Sequence, residues 1–338
     1  RLFARARSSG SGPDAVSPIT VNDNVIDVVV TPGAKAGDAA AVRTRPETAY
    51  FQVDLLVGTG DEKGTAEIQL IPVGPNHFAV RGRVPAGGKP LVRIYPVEEP
   101  ALFARTLLVE ALRRNGVRAG AAVVRPAIAP LPARGDYATM TKAATFTSPP
   151  LRDVTTVTLK VSHNLYASTL PCLVAAGNGQ TTVEAGLRHG RRFLTELGVD
   201  AGAFSFGGGA GGAPADCVSA RAIVQLLRGM AGRKEWEAYR SGLPVLGVDG
   251  TLADVVKPDS PARGKVFAKT GTLLWFDAAN DRFLLRSKAL AGTMTTRSGA
   301  TLFFAMMVNN VPVPRETGSA REGRVLGRLC EILHDNGP

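Results

Sequence analysis

Two kinds of hydrophobic periodicity divide this chain, and the division constrains its fold more than any other feature. Between about Ile19 and Val97, short runs rich in β-branched and aromatic residues alternate with turns of Gly, Pro and Asn. After about residue 150 the apolar spacing becomes helical. With 338 residues, the chain is also longer than most single domains. We therefore predict about two domains, of which the first is β-rich.

The pattern predicts individual elements on both sides of a Pro- and Ala-rich stretch at 119–150, which is the candidate domain junction. The strand-like runs are VIDVVV, AYFQVDLLV, AEIQLIPV, HFAVRGRV and LVRIYPV in the first part, and Gly264–Leu274 and Ala300–Asn309 in the second. The helical runs are Pro100–Asn115, Leu151–Val174, Thr182–Leu197, Ser219–Gly229 and Arg321–His334. Strands that end against a terminal helix suggest a sheet covered by helices.

The positive net charge of the chain bears on which molecules it could bind. A formal net charge of +11 favours a polyanion, such as nucleic acid, anionic lipid or a cell-wall polymer. However, the 40 Lys and Arg residues are scattered, with few aromatic residues among them, which is not the pattern of a nucleic-acid groove. The alternative is a solvated basic surface. We predict no nucleic-acid partner.

Metal binding and membrane insertion are also disfavoured. The three cysteines and four histidines are dispersed and lack the spacing of metal ligands. No stretch is long and apolar enough for a transmembrane segment. We therefore predict no metal, no cofactor and no transmembrane segment in this chain.

Two short motifs stand out. Ser162-His163-Asn164 lies in SHNLYAS, and Lys269-Thr270-Gly271 lies in FAKTGTL. Either tripeptide alone could be a turn, at a helix start in the first case and at a strand end in the second. A third segment, SFGGGAGGAP, could cradle a phosphate, but it has neither a GK[ST] ending nor a strict GxGxxG form, and a surface loop is the better interpretation.

The order of the two motifs is that of penicillin-binding proteins and class A β-lactamases, in which Ser-x-x-Lys precedes a Ser-x-Asn element and Lys-Thr-Gly. The flanking sequence resembles the D-alanyl-D-alanine carboxypeptidase/endopeptidase branch, the S13 serine peptidases. The matching segments, which extend the resemblance over about residues 19–335, are SHNLYA, LPVLGVDGTL, AKTGTL, SKALAG, ITVNDNVIDVVVTPG and the helix at 100–115.

This resemblance implies an α+β fold: a penicillin-binding/β-lactamase-like transpeptidase domain, with helices on an antiparallel sheet, that carries an inserted β-rich domain. The corresponding boundaries are 1–18 for a linker or entry segment, 19–135 for the inserted accessory region, and 136–338 for the C-terminal part of the peptidase domain.

The resemblance also implies a serine-type D-Ala-D-Ala carboxypeptidase or endopeptidase that acts on peptidoglycan stem peptides and binds β-lactam antibiotics, outside the cytoplasm of a bacterium. Its catalytic residues would be Ser162, Asn164 and Lys269. Residues Thr270, Gly271 and Thr272 would bind substrate, with the Thr272 N–H as one of two oxyanion donors.

Three departures from the family pattern accompany the resemblance. The branch usually has an acid where Ser168 stands, and it often has an Asp-Gly-Ser-Gly loop near SFGGGAGGAP, whose Asp is absent here. No serine has a lysine three residues later, so the Ser-x-x-Lys element is missing. Either the element precedes Arg1 in a longer protein, which the absent start Met and signal peptide favour, or it has been lost. We expect this chain alone to be inactive.

Other functions stay open at this stage. A non-catalytic wall-binding or scaffolding relative would use the same cleft without turnover. A β-lactamase is disfavoured because the β-rich region resembles the carboxypeptidase branch.

Overall fold

A computed structural model describes residues 16–120, 132–133 and 135–338. The chain forms two compact units, the first ending at Thr145 and the second built mainly from Phe146–Pro338. Most of the predicted entry segment, and part of the Pro- and Ala-rich junction, lie outside the described residues. The assignment of the first unit as an inserted domain stays a prediction.

In its described residues, the first unit contains two small sheets and one α-helix, besides short 3-10 turns. Its elements are β1 (Val25–Thr31), β2 (Ala41–Arg45), β3 (Gln52–Gly60), β4 (Glu67–Gly74), β5 (His77–Pro85), β6 (Leu91–Pro96) and α1 (Pro100–Arg114). One sheet has the antiparallel order β2-β1-β6. The other has the order β3-β5-β4, in which β3 and β5 are parallel. The predicted β-rich character of this region is therefore observed.

Alternating side chains of the strands form the core of the first unit. Ile26, Val28 and Val30 of β1 are fully buried, and they share one apolar cluster with Phe78 of β5. Phe103 of α1 enters the same cluster. Burial of such side chains contributes about 1.5–3 kcal/mol each. The helix and both sheets are thus held by a common apolar core.

The second unit consists mainly of helices and one long antiparallel sheet. Its helices are α2 (Leu151–Val161), α3 (Asn164–Gly177), α4 (Val183–Glu196), α5 (Ala220–Ala231), α6 (Trp236–Gly242) and α7 (Ala320–Asn336). Its strands are β7 (Phe204–Ser205), β8 (Cys217–Val218), β9 (Val266–Asp277), β10 (Arg282–Thr295) and β11 (Thr301–Val313). The last three form a sheet of order β11-β10-β9, which leaves β9 at an edge.

Helices cover both faces of this sheet. On one face, Leu326 and Cys330 of α7 pack in a buried cluster with Ala268 of β9 and Leu290 of β10. On the opposite face, Trp236 of α6 packs edge-on against Phe303 of β11, and Arg240 of α6 lies over the Phe267 ring of β9. Because successive residues of a strand point to opposite faces, Lys269 and Thr270 of β9 project to different sides of the sheet.

The sequence pattern missed several elements, both short and long. Neither β2 nor α6 was predicted, and the helical run at 151–174 is in fact two helices, α2 and α3. The propensity pattern also did not mark β10, which contains SKALAG, one of the segments that resemble the S13 branch. Ser219 caps the start of α5, since its Oγ accepts a hydrogen bond from the Ala222 N–H at 3.1 Å.

Candidate active site

The break between α2 and α3 sets the first functional side chain in place. Ser162 ends α2 with a left-handed backbone, at φ 59° and ψ 52°. Such a conformation costs a non-glycine residue about 1–2 kcal/mol. The His163 N–H then bonds back to the Thr158 carbonyl at 3.1 Å, which closes the end of the helix. The turn leaves the Ser162 side chain exposed.

His163 has a local structural position. It is the N-cap of α3, and its Nδ1 lies 3.4 Å from the Tyr166 N–H. Its ring stacks on the Tyr166 ring with centroids 4.0 Å apart. In this geometry His163 is a structural spacer between Ser162 and Asn164. Asn164 is the first residue of α3 and follows Ser162 by two positions.

Lys269 of β9 reaches the serine from the sheet. Its Nζ donates a hydrogen bond to Ser162 Oγ at 2.7 Å and a second one to the Thr270 carbonyl, also at 2.7 Å. The two motifs are 107 residues apart in sequence. The tertiary structure therefore brings together the hydroxyl and the ammonium of two residues that the resemblance named as catalytic.

Burial changes the acidity of Lys269. Desolvation lowers its pKa from the ordinary 10.5 to about 8, because removal from water disfavours the charged form. At neutral pH the group remains mostly protonated, yet it can lose its proton under mildly alkaline conditions. A proton donor with a pKa near the working pH is suited to acid–base chemistry.

The outer edge of β9 presents main-chain groups to the site. The Ala268 N–H donates to the Pro244 carbonyl, and the Leu246 N–H donates to the Val266 carbonyl, so even-numbered residues of β9 direct their main-chain groups away from β10. Main-chain direction alternates along a strand. Thr270 and Thr272 therefore direct theirs to the same outer side.

A groove of about 320 Å³ runs beside this edge. Its polar lining comes from Ser162, Asn164, Thr251, Thr270, Thr272 and Lys288, and its apolar lining includes Leu252, Val255, Leu290 and Leu326. Four of the six predicted site residues thus line one groove: Ser162, Asn164, Thr270 and Thr272. Lys269 is bonded to the lining residue Ser162, and Gly271 lies in the chain between Thr270 and Thr272. Among the described residues that line the groove, none is acidic.

The sequence analysis missed three residues that support this site. Thr251 Oγ1 lies 2.8 Å from Thr270 Oγ1. Lys160 Nζ donates to both oxygens of Asp249, at 2.8 and 2.6 Å. Because Asp249 Oδ1 also accepts from the Val245 N–H, this ion pair ties the end of α2 to the segment before β9. The family resemblance of LPVLGVDGTL covers Asp249 and Thr251, but it assigned no role to either residue.

The two departures near α3 lie against each other. Ser168 is buried, and its Oγ has no hydrogen-bond partner among the described residues. A Cβ at Gly209, in the glycine-rich segment, would lie 2.9 Å from the Ser168 Cα and 2.2 Å from the Ala167 carbonyl oxygen. Small residues at both positions therefore let the loop rest directly on α3. The segment is a loop between β7 and β8, and it leads into a strand. A phosphate cradle would instead lead directly into a helix.

The turn at Gly250 provides a first prediction. Gly250 has φ +58°, and a Cβ there would lie 2.6 Å from the Lys160 carbonyl oxygen. We expect Gly250→Ala to lower the free energy of unfolding by about 2–4 kcal/mol, through backbone strain and overpacking. Gly264→Ala is the matched control, because Gly264 has φ +74° with the nearest atom at 4.0 Å. Urea unfolding measures both, and equal losses would contradict the proposed contact with α2.

An antiparallel sheet covered by helices on both faces, with a serine–lysine contact beside its edge strand, is the architecture of the penicillin-binding and β-lactamase-like class. The sequence matches the model of one family in that class over residues 13–326. The chain belongs to the D-Ala-D-Ala carboxypeptidase 3 (S13) family. The family and the fold class that the sequence analysis predicted are confirmed.

Similar proteins agree with this assignment. The chain is 34% identical over 258 residues to a D-alanyl-D-alanine carboxypeptidase of Actinomadura sp. (strain R39), covering 74% of this chain and 46% of that protein. Penicillin binding protein 4 from Haemophilus influenzae has the same fold, with a TM-score of 0.72, 18% identity, and coverage of 99% and 73%. A second structure of that protein, complexed with a β-lactam, gives a TM-score of 0.66, 20% identity, and coverage of 96% and 71%.

The chain spans about half the length of the curated relatives it matches. Among the described residues, no helix combines the length and the apolar character needed to cross a bilayer. The roles of the individual site residues stay predictions.

Proposed function

We propose that this chain is part of a serine-type D-Ala-D-Ala carboxypeptidase or endopeptidase, which acts on peptidoglycan stem peptides outside the bacterial cytoplasm, and that the chain lacks the segment with the nucleophile. The contact between Lys269 Nζ and Ser162 Oγ, 2.7 Å long, is the observation that carries the proposal. It joins the two motifs into one site, as acyl-transfer chemistry requires. The same groove would accept β-lactam antibiotics.

The Ser162–Lys269 pair would deliver a proton to the leaving group. When the scissile peptide bond breaks, the departing D-alanine nitrogen needs a proton. Ser162 Oγ would donate its hydrogen to that nitrogen and take a replacement from Lys269. The lowered pKa of Lys269, about 8, makes this transfer less costly than from an ordinary lysine.

The edge of β9 would bind the reacting carbonyl and the substrate backbone. The outward direction of its even-numbered residues supports the Thr272 N–H as one oxyanion donor, since each such donor is worth about 3–4 kcal/mol of barrier. Gly271 keeps this edge accessible, because it carries no side chain. Asn164 would bind the amide of the stem peptide, and the Thr270 hydroxyl would bind the terminal carboxylate.

In the proposed reaction the nucleophile would be the serine of a Ser-x-x-Lys element. A serine attacks a carbonyl only when a nearby base takes its proton, and this class uses the lysine of Ser-x-x-Lys for that step. The sequence contains no such element. In the complete enzyme, the serine would form an acyl ester with the stem peptide, which water then hydrolyses.

Labelling with a fluorescent penicillin tests the proposal. We expect the protein from the complete gene to retain a covalent label on a denaturing gel, and the 338-residue chain alone to remain unlabelled, because the ester needs the missing serine. Excess unlabelled penicillin is the competition control. A covalent label on the isolated chain would contradict the proposed location of the nucleophile, and an unlabelled complete protein would contradict the enzyme.

The absent Ser-x-x-Lys supports one alternative, a non-catalytic relative that binds or organises the wall through the same groove. The gene sequence upstream of Arg1 separates the two functions. A Ser-x-x-Lys there supports the peptidase, whereas an upstream region without one supports the scaffold.

A further inference from the structure

A second lysine lines the groove on the other face of the sheet. Lys288 of β10 pairs with Thr272 of β9, and its Nζ donates to Thr272 Oγ1 at 2.8 Å. It also donates to Ser319 Oγ at 3.2 Å. Lys288 belongs to the groove lining, whereas Lys269 reaches the site from the opposite face. Neither of the two motifs includes Lys288.

The position of Lys288 is electrostatically unfavourable for a purely structural residue. Its side chain runs beside the first turn of α7, where a Cβ on Gly323 would lie 3.4 Å from its Cε. The N-terminus of a helix carries partial positive charge, which repels an ammonium. Burial lowers the pKa of Lys288, and Glu322 of α7 partly offsets this effect. A half-buried cation at such a place suggests an anionic ligand nearby.

The groove lining agrees with that suggestion. Its polar groups are hydroxyls, an amide and an ammonium, and no acidic residue accompanies them among the described residues of the lining. Because Thr272 Oγ1 accepts from Lys288, its own hydroxyl hydrogen is available to a ligand. A hydroxyl oriented by an ammonium is a strong donor to a carboxylate.

We propose that Lys288 is a specificity-determining residue that binds the terminal carboxylate of the substrate, directly or through Thr272. This inference rests on the proposed function and names the group that the site selects. A carboxylate bonded to Thr272 Oγ1 lies within about 5 Å of Lys288 Nζ, a separation at which opposite charges interact appreciably even near a protein surface. Substrates with a free carboxylate are thereby favoured over amides and esters.

The alternative is that Lys288 only holds α7 against the sheet through Ser319 and Glu322. That role predicts equal losses for all ligands, together with a lower thermal stability. The two roles are separated by comparing a carboxylic acid with its neutral derivative as ligands. Only the carboxylate-binding role predicts that the loss depends on the charge of the ligand.

The experiment uses the protein from the complete gene and compares a fluorescent penicillin with its carboxyl methyl ester. We expect Lys288→Met to slow acylation by the acid about 10- to 100-fold and to leave the slow reaction of the ester unchanged. Lys288→Arg should restore most of the rate with the acid, because it keeps the charge. Lys234→Met is the matched control, since its side chain is 91% exposed. Circular dichroism melting checks the fold of each variant.

Each outcome decides the inference. Equal loss with acid and ester, or no loss with either, overturns it. If the wild-type protein is not acylated at all, the proposed function fails separately. Lys288 can then still be tested by calorimetric binding of an N-acyl-D-Ala-D-Ala dipeptide and of its C-terminal amide. If Lys288→Met and the wild-type protein bind the acid with equal affinity, the inference is overturned. If the variant loses affinity for the acid and not for the amide, the inference is supported.

Discussion

Replacing Lys269 with methionine is expected to reduce acylation of the complete protein by about 10²- to 10⁴-fold while making the fold more stable. The activity falls because the variant lacks the ammonium that bonds Ser162 Oγ at 2.7 Å. Penicillin labelling followed over time measures this loss. Lys265→Met is the matched control, because Lys265 is exposed and only four positions earlier in the chain.

The stability gain follows from the desolvation of Lys269. Its pKa falls from 10.5 to about 8 in the native state, so the folded protein binds this proton less tightly than the unfolded chain does. The charge therefore destabilises the fold below pH 8, and this cost disappears as the pH rises through 10.5. Allowing for the lost hydrogen bonds, we expect Lys269→Met to gain about 1–3 kcal/mol at pH 7.

The pH dependence offers a separate test of the same residue. Acylation by the wild-type protein should decline above a pKa of about 8, where Lys269 loses its proton. Urea unfolding at pH 7 and pH 10 should show the stability advantage of Lys269→Met shrinking with pH. An advantage that is constant with pH, or a less stable variant at pH 7, would contradict the role of desolvation.

Two substitutions of Ser162 separate the contribution of its hydroxyl to acylation from the contribution of its backbone conformation to stability. Both Ser162→Ala and Ser162→Gly remove the hydroxyl, and we expect each to slow acylation about 10²- to 10³-fold. They should differ in stability, because residue 162 has φ 59° and only glycine adopts it without strain. We expect Ser162→Gly to exceed Ser162→Ala by about 1 kcal/mol in the free energy of unfolding.

Two readouts check the Ser162 variants. Chemical denaturation compares the stabilities of alanine and glycine, and penicillin labelling compares their rates. Ser162→Thr is a useful third variant, since it keeps a hydroxyl but adds β-branching at a left-handed position. Full acylation by Ser162→Ala would refute the proposed proton transfer, even if the stability difference were as expected.

Much of the fold could be predicted from local patterns. The strand run VIDVVV became β1, and Pro100–Asn115 became α1, because each buries one continuous apolar face. The long predicted helix at 151–174 was divided, because periodicity does not register a single residue with positive φ. That residue is Ser162, where the change of direction exposes the side chain that matters most for the site.

Some residues of the site could be predicted from the sequence, and others became visible only in the tertiary structure. The motifs named Ser162, Asn164 and Lys269 in advance, because the family resemblance concerns residue order. Lys288 escaped notice, because a lysine on β10 becomes part of the groove only when the register places it opposite Thr272. Asp249 also escaped the sequence analysis, because its ion-pair partner Lys160 is 89 residues away in the chain. Neither contact has a local sequence signal.

The sequence by itself determined the family, the α+β class and the two motifs, because these depend on residue types and their order along the chain. The tertiary structure alone decided which of them meet. Strand pairing places Thr272 beside Lys288, the left-handed turn directs Ser162 toward Lys269, and burial lowers the pKa of that lysine. Distance, direction and desolvation are properties of packed side chains, and they arise only when distant segments come into contact.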